Sequence, residues 1–224
     1  MPNEELVATL DEESRLASGS LGAAAEDAFA GPTRLPLWTV KELFAHMWLD
    51  LDRIREYLAA PAPSVADTDA VLYWRRYDPA DDGPDVAARA KEIANRFASG
   101  SELVASFDEG RAEAVALALA TPEDRLVATW GPTMRFDDYL RTRILEMGVH
   151  GLDLADALGR EPWLTRGAAD VTRRILVGLL GEEPAIVRRW SDRSFIEAGT
   201  GRRGITYEEH AALGPLAQAF PLLA

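Results

Sequence analysis

The sequence predicts a mainly α-helical fold, a bundle with a small C-terminal α(+β) extension, and three observations lead there. Apolar residues recur at helical spacing along most of the chain. The strong breakers, Gly31-Pro32, Thr121-Pro122-Glu123, Gly131-Pro132 and Gly159 with Pro162 beyond, fall between those periodic segments rather than inside them. The 47% of hydrophobic residues in a 224-residue chain is enough to build a real core in one large domain or a domain with an appendage.

The first helix is expected from about Glu4 toward Ala30, interrupted or kinked near Gly19 and Gly22, with a loop Thr33 to Leu37 after Gly31-Pro32. The second starts at Thr39, because Thr39 and Glu42 form a capping box in which each side chain satisfies an orphan amide. Its Val40, Leu43, Phe44, Met47, Leu51, Ile54 and Leu58 share one face. From Ala59 to Pro84 the chain is rich in Pro, Asp and Ala around Tyr73-Trp74-Arg75-Arg76-Tyr77, and reads as a long crossover loop, a kind of segment that often carries function. A third helix is expected over Asp85 to Phe107, then a short one over Ala112 to Leu119. Leu126 to Phe136 is irregular or partly extended. The fourth bundle helix runs from about Asp137 to Leu158 and stops at Gly159. A further helix, Ala168 to Leu180, precedes a tail with a strand-like piece at Ser194 to Ala198. Residues 1–160 are thus assigned to the bundle and 161–224 to an extension packing on it. No internal repeat is evident.

Composition excludes several functions. With 24 Lys+Arg against 37 Asp+Glu the net charge is −13, which leaves no basic face for a phosphate backbone, so nucleic acid is not an expected partner. The chain has no cysteine, which removes disulfides, zinc–thiolate sites and a cysteine nucleophile together; any thiol chemistry must use a thiol from outside. The acidic, amphipathic start MPNEELVATLDEES lacks the features of a signal peptide, and the most apolar stretches, Ala114 to Ala120 and Ile175 to Leu180, are far short of the ~20 residues that cross a bilayer. A soluble, cytoplasmic protein is expected, monomer or homodimer, without a membrane partner.

Three histidines occur: His46, His150 and His210. Glu146 and His150 are four residues apart, so on a helix both leave the same face one turn apart and can reach one ion. His46 lies beside Leu43 and Met47, near the edge of the second helix's buried face, where it can meet the other two across the bundle. Two histidines and a carboxylate leave positions on a divalent metal open to water or substrate, as in a catalytic site. The spacing alone leaves open an ordinary helix ion pair and a hydrogen-bonded core histidine.

The flanking residues say more. Leu35-Pro36-Leu37-Trp38-Thr39, followed by Leu43-Phe44-Ala45-His46, resembles the Pro-x-Trp-Thr and Leu-x-Ala-His signature of the mycothiol-dependent maleylpyruvate isomerase family, in the DinB-like superfamily. Arg143 to Ala155 resembles that family's Arg-x-x-Glu-x-x-x-His-x-x-Asp-Leu segment. Trp130-Gly131-Pro132, Asp138-Tyr139-Leu140, Thr200-Gly201-Arg202-Arg203 and Leu213-Gly214-Pro215-Leu216 extend the likeness over most of the chain. The resemblance implies a DinB-like four-helix bundle in which His46, Glu146 and His150 bind a divalent metal, usually Zn2+, with mycothiol or a related low-molecular-weight thiol as cosubstrate. Because a metal with an open position lowers the pKa of a bound thiol or polarises a carbonyl, it implies an isomerase or thiol S-transferase acting on a small electrophile. Two alternatives stay open: a metal-dependent hydrolase that needs no thiol, and a non-catalytic bundle that binds a ligand.

Asp153 continues the Arg143, Glu146, His150 stripe and matches the family's aspartate, which makes it a candidate for orienting His150. Arg89 resembles an arginine that in the isomerases suits a substrate carboxylate. Arg75 and Arg76 are candidates for binding the cofactor, and they or Arg202 and Arg203 can equally serve an anionic substrate; His210 is expected to face solvent. Gly199 to Gly204 fits a literal dinucleotide fingerprint, but no strand–helix unit surrounds it, so it is read as a turn.

Overall fold

The computed structural model of the chain describes residues 3–36 and 38–223. The expectations that fall on Met1, Pro2 and Leu37, in the acidic N-terminal segment and the loop before the second helix, lie outside these residues, as does Ala224. Nine α-helices and one two-stranded hairpin appear among them. Four long helices make the bundle: α1 (Asn3–Gly22), α2 (Val40–Ala59), α5 (Gly100–Leu119) and α6 (Phe136–Ala157). The first of these packs on α5 and α6, and α2 packs on the same two from the other side. Leu6, Leu10, Leu43, Phe44, Met47, Phe107, Leu140 and Ile144 meet between them, each at most 1% exposed. No described helix is long and apolar enough to cross a membrane.

The expected capping box at Thr39 and Glu42 is present, and α2 is closed at its other end by the Arg125 guanidinium, which donates to the carbonyls of Leu58 (3.0 Å) and Ala60 (2.7 Å). Gly159, at φ 60°, ends α6 where the sequence places the stop. Several boundaries differ from expectation. The first helix ends at Gly22, and Glu26–Ala30 is a separate 3-10 turn whose Glu26 carboxylate accepts from the amides of Gly100 and Ser101 at the start of α5.

The segment 59–84 is not one loop. It holds α3 (Ala70–Arg76), nucleated by Asp69, whose carboxylate accepts from the amides of Val71 and Leu72, both at 2.8 Å. It also holds the first turn of α4 (Pro79–Ala94), capped by Asp78. Nor does the helix expected at Asp85 to Phe107 continue: it breaks after Ala94, and Ser99 caps α5, which then runs unbroken through Gly110. The third helix of the bundle is therefore α5, while α4 lies outside on α2.

Leu126–Ala128 and Thr133–Arg135 form an antiparallel hairpin, β1 and β2, with Trp130 at its tip. After α6 the chain turns back along it. Gly148 and Gly151 leave room for this, since a Cβ on them would sit 2.9 Å from Leu164 Cδ1 and 2.7 Å from Trp163 Nε1. Then α7 (Arg166–Leu180) packs on α6, α3 and α1. The strand-like piece at Ser194 to Ala198 is instead part of α8 (Asp192–Gly199), whose cap Ser191 accepts from the Ser194 amide. The last helix, α9 (Tyr207–Leu213), carries His210 on the surface, as expected.

One buried acid ties the C-terminal segment to the bundle. Glu13 on α1 is 0% exposed; one of its carboxylate oxygens accepts from the Thr165 amide at the start of α7 and the other has no partner among the described residues. Burial pushes its carboxyl above the ordinary range, against the hydrogen bonds from Thr165. An acid whose folded pKa is raised contributes stability that is fully present below its unfolded pKa and is lost as pH rises through the folded value. Glu13→Gln keeps the acceptor for Thr165 and removes the charge. It is expected to match the wild type near pH 4, about the unfolded value for Glu, and to exceed it by roughly 1 kcal/mol at about pH 8, read from urea midpoints.

Candidate functional site

The two central helices α2 and α6 face each other with donor side chains. His46 Nε2 lies 3.4 Å from Glu146 Oε2, and His150 Nε2 lies 3.0 Å from the same oxygen. One donor atom from each of His46, Glu146 and His150 falls within 4.8 Å of the others. The histidines are at most 9% exposed, and the ring of Trp38, held by the loop before α2, lies 4.9 Å from the His46 ring and 5.8 Å from that of His150. Thr33 fixes that loop, its amide and hydroxyl both donating to the Trp38 carbonyl.

Around this cluster the polar groups are ordered. Asp153, fully buried, accepts from His150 Nδ1 at 2.9 Å, from Arg34 at 2.6 Å and from Arg202 at 2.7 and 3.1 Å. This leaves His150 Nε2 turned toward Glu146. Arg143 donates to Asp50 Oδ1 and, at 3.2 Å, to the Tyr73 hydroxyl, and its guanidinium lies 5.1 Å from the centre of the Tyr139 ring.

Burial would raise the Glu146 carboxyl, but hydrogen bonds with His150 and His46 hold it well below the usual carboxylate range. His150 is likewise disfavoured as a cation by burial, yet Asp153 and Glu146 push it up to about 9. Asp153, against its own burial, is held low by His150 and Arg202. Burial raises Asp50, with Arg143 opposing.

The donors fit a divalent ion. The two imidazole nitrogens lie 3.0 and 3.4 Å from the same carboxylate oxygen, each a separation that two ligands at about 2.0–2.2 Å from a common centre can take. A histidine whose second nitrogen is held by a carboxylate is the usual outer arrangement of a metal ligand, and a cation arriving there would replace the proton that Glu146 and Asp153 now favour on His150.

The cluster opens into a cavity of about 590 Å³ whose lining includes the aromatic rings of Trp38, Tyr57, Tyr73, Trp74, Tyr77 and Trp130. Tyr73 and Trp130 touch edge to face at 6.0 Å between centres, so the hairpin tip forms part of the wall. Burial, then the carboxylates of Glu146 and Asp82, push the Tyr77 phenol up to about 12. Arg89 reaches the cavity from α4; it is exposed, and its Nε donates to the Asp85 carbonyl.

Arg75 and Arg76 do not line the cavity. Arg75 donates to the Gly178 carbonyl on α7 and Arg76 to Asp67, because α3 turns them outward while Tyr73 and Trp74 face in. Arg203 pairs with Glu209, away from the site, whereas Arg202 enters it. Arg34 and Asp50 escaped the sequence reading. Asp50 follows His46 by four residues, the same spacing as Glu146 and His150, which is a usable signal; Arg34 carries none.

Comparison with known proteins gives three findings. Residues 10–155 match the sequence profile described as the mycothiol maleylpyruvate isomerase N-terminal domain. The uncharacterized proteins Rv0036c and MT0041 of two Mycobacterium tuberculosis strains are each 29% identical over 153 residues, 68% of this chain and 56% of theirs, so the chain spans little more than half the length of these curated relatives. The crystal structure of a histidine-to-alanine mutant of mycothiol-dependent maleylpyruvate isomerase superposes with a TM-score of 0.54 at 17% identity, over 80% of this chain and 70% of that one, a likeness of fold.

Proposed function

The chain belongs to the mycothiol maleylpyruvate isomerase N-terminal domain family, and from that premise we propose that it is a metal- and thiol-dependent enzyme, an isomerase or S-transferase for a small electrophile. The observation that carries the reading is the cluster of His46, Glu146 and His150 at one wall of a cavity large enough for a thiol and a second small molecule. These three residues would hold a divalent ion, and Zn2+ is the occupant that the family resemblance implies. Bound there, it supplies Lewis acidity, lowering the pKa of a thiol or polarising a carbonyl.

The chain's own residues prepare the rest. Asp153 fixes the ring of His150, and the Trp38 ring lies tilted against both imidazoles. The aromatic wall displaces water from the electrophile, which strengthens every polar interaction inside. Tyr77 keeps its proton at neutral pH and presents a hydrogen-bond donor. Arg89, which forms no ion pair among the described residues, is the group we assign to an anionic part of the substrate. Since the chain has no cysteine, the thiol is mycothiol or a comparable low-molecular-weight thiol.

The test compares metal-loaded and metal-stripped protein. Calorimetry is expected to give tighter binding of mycothiol to the loaded form, and cobalt-loaded protein to develop a sulfur-to-metal charge-transfer band on adding it. Equal binding to both forms points to a ligand-binding bundle. Turnover of an electrophile in rigorously thiol-free buffer points to a hydrolase.

A further inference from the structure

The rim of the cavity is made by the lining residues that also reach solvent: Pro36, Ala80, Pro84, Arg89 and Trp130. Trp130, at the hairpin tip, is the one aromatic ring of the five and is 50% exposed. What fixes the hairpin stops short of it. Thr133 is tied through both backbone groups, its carbonyl accepting from the amides of Asp67 (2.9 Å) and Thr68 (3.1 Å) and its amide donating to the Asp67 carboxylate (3.1 Å). Val127, Pro132 and Met134 are buried, and the amide and hydroxyl of Thr129 both donate to the Pro132 carbonyl at 2.9 Å. Trp130 and Gly131 lie outside this frame, and a Cβ added to Gly131 would meet nothing within 4 Å. The indole leans by its edge on the Tyr73 ring, whose hydroxyl is held by Arg143.

An indole gives broad, flat contact while freezing only two side-chain torsions, so it takes a ring or a flat face at low entropic cost. With half of its surface in water at the rim, Trp130 has such a face to give. We propose that Trp130 is the cover of the occupied cavity: moving on the turn between Thr129 and Pro132, its ring lies against a flat or ring-shaped part of the bound thiol near the rim and sets how slowly that thiol leaves. This deepens the reading above and rests on it, since it takes the cavity as the thiol's place. It concerns departure rather than arrival. A cover that settles after the thiol is seated leaves the encounter alone and adds a contact that has to break before release.

The experiment uses the full chain and mycothiol. Trp38 and Trp74 also line the cavity, so the emission of Trp130 is taken as the difference between the zinc-loaded wild type and zinc-loaded Trp130→Phe. Adding mycothiol is expected to move that difference to shorter wavelength and to shield it from acrylamide. Rates come from stopped flow on the cobalt-loaded chain, followed at the sulfur-to-metal band. Trp130→Ala is expected to release mycothiol about tenfold faster than the wild type with association unchanged within about twofold, the size of one lost aromatic contact, and Trp130→Phe to stay within about threefold of the wild type. Equal release from Trp130→Ala and the wild type overturns the proposal, as does a Trp130 emission that mycothiol leaves as red and as open to acrylamide as before. If Trp130→Ala does not fold, the emission difference decides alone. A wild type that binds no mycothiol overturns the thiol reading itself, and the proposal falls with it.

Discussion

His150→Ala is expected to lower the affinity for Zn2+ by more than about a hundredfold, since losing a group that merely supports a ligand already costs roughly 10–100-fold. The fold should survive. Removing the imidazole leaves Asp153 paired with Arg34 and Arg202, and Glu146 still in contact with His46, so no buried charge is stranded. The core that holds α2 against α6 is apolar and does not pass through the ion. Chelator competition with a chromogenic zinc indicator measures the first effect and far-ultraviolet circular dichroism the second. Unchanged metal affinity would remove His150 from the ligands, and a wholly unfolded variant would make the site structural rather than catalytic.

Asp153→Ala is expected to cost stability as well as metal affinity. Here the stranded groups are cations: Arg202, 12% exposed at its side chain, and Arg34, 26% exposed, lose their shared carboxylate, and His150 loses the acceptor on Nδ1. Breaking a buried pair from one side costs about 3 kcal/mol, somewhat less here because Arg34 reaches solvent. Zinc affinity should fall as well, by roughly 10–100-fold, because the ring of His150 is free to turn. Thermal unfolding of Asp153→Ala with and without Arg202→Ala separates the causes: the double variant should regain part of the stability but none of the metal affinity. Full recovery of both would mean that Asp153 serves only to neutralise Arg202.

The parts of this arrangement that could be read from the sequence are those written in local spacing. Glu146 and His150 share a helix face because four residues make about one turn, and the capping box at Thr39 sets where α2 begins and so which way His46 points. Short elements were not legible for the converse reason. Seven residues from Ala70 to Arg76 give too few turns for a period to show, and Asp69, which starts that helix, looks in sequence like part of a polar loop. The Ser99 cap is hidden among Ala98, Gly100 and Ser101, so the break between α4 and α5 passed for a continuous helix. In Ser194 to Ala198 the Phe195-Ile196 pair suggested a strand, where an eight-residue helix packs both inward. The clamp on Asp153 is not legible in the sequence, since Arg34 and Arg202 come from 119 and 49 residues away in the chain and no local spacing links them to it.

The wall and the donors of this cavity are built from different kinds of structure. The donors stand on two long helices of the bundle, whereas much of the wall comes from α3, the first turns of α4 and the tip of the hairpin. Changes in loops and short helices are tolerated far more readily than changes within a packed core. Inheritance can therefore work on the two separately: drift within residues 60–94 and at the Trp130 tip reshapes what is admitted, while the pairing of α2 with α6 keeps the reactive centre. Exchanging residues 60–94 between relatives is therefore expected to change what the cavity admits while leaving the cluster of His46, Glu146 and His150 in place.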